Sequence, residues 1–251
     1  MDQNNETKRR LAIVFGGSRG IGAACVETLA REGMDVAFTY ASQSSAAHQS
    51  EERALIHGTR VQGYQLDIGS GAAVDAVFTK VKNDFGADVQ AVVANAGINV
   101  PPAPLSQFTD EAFRNLVEVN IVGAFNVLRA AAREVADGGA IVAMSTSLVR
   151  HAVAGIGPYS ASKAAVECLV RSMSKELAAR GVRVNAVAPG PVDTDLFRAG
   201  KTEEAKARSA AMSPLNRVGT PEEVAEVVAF LLSHKASWVD GQIVATNGAM
   251  V

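Results

Sequence analysis

The sequence predicts an α/β fold: a doubly wound parallel sheet of about seven strands with helices on both faces. Three observations carry that expectation. Short apolar runs alternate along the chain with longer segments of helical periodicity, the order required by parallel strands joined through right-handed crossovers. The first run, Leu11-Ala12-Ile13-Val14-Phe15, is apolar throughout, as a strand covered on both faces must be. A cluster of glycines ends it and opens a helix. With 251 residues, 48% hydrophobic and 20% charged, the chain suits one large buried domain over 1–251, with 1–8 read as a flexible tail.

The elements follow in order. A helical pattern from about Gly20 to Arg31 is stopped by Gly33, and Asp35 to Thr39 forms the second strand. The polar turn Ser42-Gln43-Ser44-Ser45 leads into a helix ending near His57-Gly58, and Val61 to Leu66 is the third strand. A helix from about Gly71 to Phe85 precedes the fourth strand, Val89 to Ala94, and a long helical stretch runs from about Asp110 to Val135. Ala140 to Met144, Val182 to Val187 and Gln242 to Thr246 complete the strands, and Tyr159 to Ala179 is the helix between the first two of these. Pro221 to Ser233 carries its own start signal: Thr220 as N-cap, Pro221 at the first helical position and Glu223 two residues on. The irregular, charged stretch over 193–214 reads as a flap beside a site.

Composition excludes several classes. The net charge is −2, and the only basic block is Lys8-Arg9-Arg10, which argues against a nucleic-acid footprint or a polybasic membrane patch. No apolar run approaches the ~18 residues of a membrane span. Met1 to Thr7 is polar and lacks a signal-peptide core, which suggests a cytoplasmic protein. Cys25 and Cys168 read as buried, reduced thiols, and the four histidines show no metal-ligand spacing, so no metal is expected.

Chemistry is concentrated in two places. Gly16-Gly17-Ser18-Arg19-Gly20-Ile21-Gly22 lies between the first strand and first helix, where backbone N–H groups and the helix dipole suit a pyrophosphate, as in a Rossmann-type fold. An NAD site wants an acid at the end of the second strand, and Thr39-Tyr40-Ala41-Ser42 contains none. Arg19 and the hydroxyls of Tyr40 and Ser42 suit a 2′-phosphate instead, so NADP is expected over NAD. The second place is Tyr159-Ser160-Ala161-Ser162-Lys163. Four residues apart on a helix, Tyr159 and Lys163 share a face with Cβ atoms about 5–6 Å apart. A neighbouring ammonium favours the phenolate, so the pair is expected to act as a proton donor and acceptor tuned toward neutral pH.

With loop and pair together, the sequence resembles the short-chain dehydrogenase/reductase family over nearly all of residues 9 to 249, most strongly its 3-oxoacyl-[acyl-carrier-protein] reductase-like members. Asp67-Ile68 looks like the family's adenine-binding pair, and Asn95-Ala96-Gly97 matches its Asn-Ala-Gly. Asn120 matches the active-site Asn, and Pro189-Gly190-Pro191-Val192-Asp193-Thr194 matches the segment that contacts nicotinamide. Three positions depart from the pattern. Phe15 and Ala94 stand where the family has polar residues, which suggests an apolar contact in place of a hydrogen bond. Thr146 falls in the register of the catalytic Ser, with Ser145 and Ser147 beside it; Thr146 is preferred and Ser145 is next.

The resemblance implies hydride transfer between nicotinamide and a carbonyl or secondary alcohol, with a 3-oxoacyl thioester or small ketone as substrate. Tyr159 would protonate the carbonyl oxygen while Thr146 or Ser145 polarises it. Lys163 would lower the Tyr159 pKa and hold the ribose, and Asn120 would position a water in a proton relay. A homotetramer is also implied. The competing readings are a cofactor-sensing protein that kept the fold and lost the chemistry, and a same-fold epimerase or dehydratase. The presence of both Tyr159 and Lys163 weighs against the first, and the chain's length against the second.

Overall fold

The computed structural model describes residues 9–199 and 201–251, so the tail expected over 1–8 lies outside the described residues. The strands β1 (Leu11–Phe15), β2 (Asp35–Tyr40), β3 (Val61–Gln65), β4 (Val89–Ala94), β5 (Ala140–Met144), β6 (Arg183–Pro189) and β7 (Ile243–Thr246) form one sheet. Its order is β3-β2-β1-β4-β5-β6-β7, and every neighbouring pair is parallel. The long helices are α1 (Gly20–Arg31), α2 (Ser44–Leu55), α3 (Gly71–Phe85), α4 (Asp110–Val117), α5 (Ala124–Glu134), α6 (Gly157–Leu177) and, after the short α7 (Asp195–Arg198) and α8 (Glu203–Ala210), α9 (Pro221–Leu232).

The central strand shows why both faces are covered. Leu11, Ile13 and Phe15 pack with Phe78 of α3, Val127 of α5 and Val170 of α6. Ala12 and Val14 point the other way, into a layer with Cys25 and Leu29 of α1 and Val228 of α9. Successive side chains on a strand alternate in direction, so an unbroken apolar run feeds two cores at once. The chain winds from β1 to β3 on one side and from β4 onward on the other. Adjacent loops therefore diverge beyond the carboxyl ends of β1 and β4, and that crevice is where such sheets bind ligands.

Three expectations change. The continuous helix expected over Asp110 to Val135 is interrupted by a π-helical segment, Glu118–Gly123. There the Asn120 side chain holds the backbone of Ile98, accepting from its N–H at 2.8 Å and donating to its carbonyl at 2.9 Å. Such wide turns carry one extra residue and cluster at functional sites. Cys168 is exposed rather than buried, because it falls on the outer face of α6, where Arg171 donates to its sulfur at 3.4 Å. The stretch over 193–214 contains two short helices, each capped by a threonine: Thr194 accepts from Phe197 N–H and Thr202 from Ala205 N–H. Thr220, Pro221 and Glu223 start α9 as the capping box expected.

Candidate active site

The glycine loop leaves β1 and enters α1 at close quarters. A Cβ on Gly22 would run into the Gly16 carbonyl, so only glycine lets the helix begin this near the strand. That carbonyl also accepts from Asn95 Nδ2 at 2.8 Å, which ties the ends of β1 and β4 together. Gly16 and Gly17 donate their N–H groups to the Thr39 carbonyl at 3.1 and 2.9 Å, so the loop is anchored to β2 as well. Gly16, Ser18, Arg19, Gly20, Ile21 and Gly22 line a cavity of about 330 Å³. Tyr40 and Ala41, Asp67 and Ile68, and Asn95, Ala96 and Gly97 form its walls. Ser42, expected there too, lies outside it, because the chain turns outward into α2 after Ala41. Arg19 is exposed at the rim and no carboxylate ends β2, which suits an added phosphate rather than a bare ribose diol.

A second cavity of about 290 Å³ continues from the first, and Ile21, Asn95, Gly97, Ile98, Thr194 and Leu196 line both. Its polar wall holds Ser145, Thr146, Tyr159 and Lys163; Pro189, Gly190 and Val192 line it from the end of β6. Val153, Ile156, Leu196, Phe197, Met212 and Met250 supply an apolar side. Asn120 lines neither cavity. Its amide hydrogens go to the Ile98 carbonyl and to Ser162 Oγ at 3.2 Å and its oxygen accepts from Ile98 N–H, so the side chain braces this corner of the cleft. A Cβ on Gly97 would meet Asn120 Oδ1 at 3.0 Å and Lys163 Nζ at 3.3 Å, which fixes how closely the three meet.

Burial, not mutual attraction, governs the Tyr159 and Lys163 pKa values. The Tyr159 ring is half-buried by area, and the protein packed around it pushes the phenol up to about 12. Lys163 is buried and held down to about 8 by the same loss of solvent, while its Nζ donates to the Met144 carbonyl at 3.0 Å. Where the sequence suggested that Lys163 draws the phenol toward neutral pH, the Lys163 ammonium here is bonded to β5 and desolvation is the cause of both shifts.

The three hydroxyls after β5 point in different directions. Ser145 Oγ donates to Glu167 Oε1 at 2.7 Å, and Ser147 Oγ donates to the Ala188 carbonyl at 2.9 Å and accepts from Asn247 Nδ2 at 3.0 Å. Thr146 Oγ1 accepts from Leu148 N–H at 3.3 Å, and among the described residues its own hydrogen has no acceptor. Ser147 does not line the cleft; Ser145 and Thr146 do. Glu167 escaped the sequence reading, although a signal was present. Tyr159, Lys163 and Glu167 are spaced by four, so they form one stripe along α6, and a carboxylate on that inward stripe has to be paired.

The family profile described as "Enoyl-(Acyl carrier protein) reductase" matches residues 16–250. A short-chain type dehydrogenase/reductase of Picea abies is 39% identical over 96% of this chain and 92% of its own length. The chain belongs to the short-chain dehydrogenase/reductase family. As a member of it, the protein is an oxidoreductase. It is also similar to the NADPH-dependent aldehyde reductase-like protein of Arabidopsis thaliana, 37% identical over 96% of this chain and 94% of that one. The 3-oxoacyl-[acyl-carrier-protein] reductase of Escherichia coli is 33% identical over 96% of this chain and 97% of its own. The solved structure of a short-chain dehydrogenase from Burkholderia cenocepacia J2315 in complex with NADP superposes with a TM-score of 0.89 at 31% identity, covering 98% of this chain and 99% of that one. The unusual pair in this family member, Phe15 and Ala94, sits at paired positions of β1 and β4 in the same buried cluster, and Phe15 packs on Phe78 with ring centroids 5.8 Å apart. An apolar contact thus occupies the place of the polar tie, and Asn95 Nδ2 supplies the hydrogen bond one residue on.

Proposed function

We propose that the protein is an NADPH-dependent reductase of a carbonyl substrate, a small ketone or 3-oxoacyl thioester, with the secondary alcohol as product. The observation that carries the reading is the joining of two cavities: the glycine-lined one opens into the cleft where Thr146, Tyr159 and Lys163 meet. Bound NADPH supplies a hydride for the carbonyl carbon. With its pKa pushed to about 12, Tyr159 is a neutral phenol at working pH, the form that can give a proton to the carbonyl oxygen. Thr146, with an unspent O–H, donates a hydrogen bond to that oxygen as charge develops. Lys163, next to Gly97 and the cradle, would hold the nicotinamide ribose, and its ammonium would offset the charge of the phenolate left behind. Asn120 acts by bracing Ile98 and Ser162, and the Asp193–Pro214 stretch serves as the substrate flap.

Several features support NADP as the cofactor: the absent acid after β2, Arg19 at the rim, and the NADP-bound relative. The neutral phenol and a cytoplasm rich in NADPH favour the reductive direction. Among the described residues no helix is long and apolar enough to cross a membrane, and neither nucleic acid nor membrane belongs to this reading. Phe113 and Phe125 stand 47% and 43% exposed on α4 and α5, which supports burial of these helices in a homotetramer. A stable monomer by light scattering at micromolar concentration would contradict that assembly.

The test of function is NADPH oxidation against a panel of ketones, aldehydes and acyl-thioesters. Turnover of at least one carbonyl class is expected; NADPH binding without any turnover would favour the cofactor-sensing alternative. For the cofactor, Arg19→Ala should raise the NADPH Kd by about tenfold, the worth of one charge-assisted bond, and leave NADH nearly unchanged.

A further inference from the structure

Two of the three hydroxyls after β5 are bonded to neighbouring elements, and one of the partners is a buried carboxyl that the mechanism above does not use. Glu167 is 4% exposed, one turn beyond Lys163 on α6, and its Oε1 accepts the Ser145 hydroxyl at 2.7 Å. Its Oε2 lies 3.5 Å from Arg171 Nη1, at the outer side of the helix. A buried carboxylate has to be paired, and each oxygen of this one has a partner. On the opposite side, the Ser145 N–H donates to the Val187 carbonyl at 2.8 Å and Ser147 is bonded to Ala188 and Asn247. Thr146 thus sits between two pinned residues at an extended backbone, φ −157° and ψ 146°, the point where β5 gives way to the cleft loop.

We propose that Glu167 is a positioning residue for carbonyl reduction: it engages the Ser145 hydroxyl at the cleft wall and holds the Ser145-Thr146 bend, so that Thr146 alone presents a free O–H beside Tyr159. The proposal rests on the reductase reading above for its kinetic arm. A Ser145 hydroxyl released from Glu167 would be free to bond Thr146 or the substrate oxygen in a poorer geometry, and misplacement of a polarising group by about 1 Å is enough to cost up to ~10²-fold.

The test uses the full chain with Glu167→Gln, Glu167→Leu and Ser145→Ala, each made alone and in a Thr146→Val background, together with NMR of the labelled Thr146 methyl group. Glu167→Gln keeps an acceptor for Ser145 and should hold kcat within about threefold. Glu167→Leu and Ser145→Ala delete the same bond from opposite ends and should each lower kcat by about tenfold, with the NADPH Kd unchanged. Neither should cost anything further once Thr146 is Val, since a residue acting through Thr146 has nothing left to position. The Thr146 methyl resonance should shift in Glu167→Leu and stay in place in Glu167→Gln. Equal losses with and without Thr146, a Gln variant as impaired as the Leu one, or an unmoved methyl signal would overturn the proposal. If Glu167→Leu fails to fold, the Ser145→Ala and Glu167→Gln arms carry the same decision. A wild-type chain that turns over no carbonyl defeats the reductase reading instead, and the methyl signal still decides the positioning.

Discussion

The two walls of the cleft are built differently. The wall that carries Thr146, Tyr159 and Lys163 rests on β5 and α6; Lys163 is buried and bonded to Met144, Ser145 to Glu167, and Ser162 to Asn120. The opposite wall belongs to the stretch around α7 and α8, where Leu196 is 48% exposed and the ion pairs, Arg198 with Asp193 and Lys206 with Glu203, lie in solvent. Buried, bonded groups hold a geometry to within tenths of an ångström, which proton and hydride transfer demand. Solvent-screened pairs hold a segment loosely and at little cost, which suits a surface that has to admit and release substrate. Under the proposed function, the first wall carries the chemistry and the second chooses the substrate.

That contrast can be broken by substitution on either side. Tyr159→Phe, on the rigid wall, should lower kcat by about 10²–10⁴-fold, the worth of a positioned acid, without changing NADPH binding. Steady-state turnover and fluorescence titration check both halves. Next comes Thr146→Val, with an expected loss in kcat of ~10²-fold, as for an oxyanion donor. Near-normal turnover in that variant, together with an inactive Ser145→Ala, would move the polarising role to Ser145.

The third effect is one of pH. Lys163 has its pKa lowered, so its ammonium is present below about 8 and lost as pH rises through that value. The profile of kcat/KM for reduction reports ionisations of the free enzyme, so it should be flat near neutral and fall above about pH 8. A profile level to pH 10 would mean that Lys163 does not titrate in this range. The smallest effect belongs to the flap. Leu196→Ala removes apolar surface from the cleft wall and should raise KM by no more than about tenfold while leaving kcat intact. A large fall in kcat there would erase the contrast between the walls.

Much of this was legible in the linear chain, for physical reasons that differ by element. Strands covered on both faces must be apolar throughout, so β1 and β4 announce themselves, and the capping box of α9 is a local pattern with local causes. The ends of Tyr159-to-Lys163 and of the glycine loop are likewise set by spacing within one element. Less legible was the break between α4 and α5. Asn120 leaves its helical pattern because Ile98, from the loop after β4, is there to be bonded, and that partner is remote in sequence. The exposure of Cys168 and the outward turn of Ser42 also depend on what the neighbouring layers leave uncovered.

The sheet and its order of elements, the glycine cradle and the Tyr159–Lys163 stripe are readable in the linear chain, because each follows from periodicity or from residues within one turn of each other. Which hydroxyl after β5 is free, the bond from Ser145 to Glu167, and the push of Tyr159 up and Lys163 down by burial come from packing between elements. Those outcomes depend on desolvation and on partners brought from other elements, and neither is a property of residues in line.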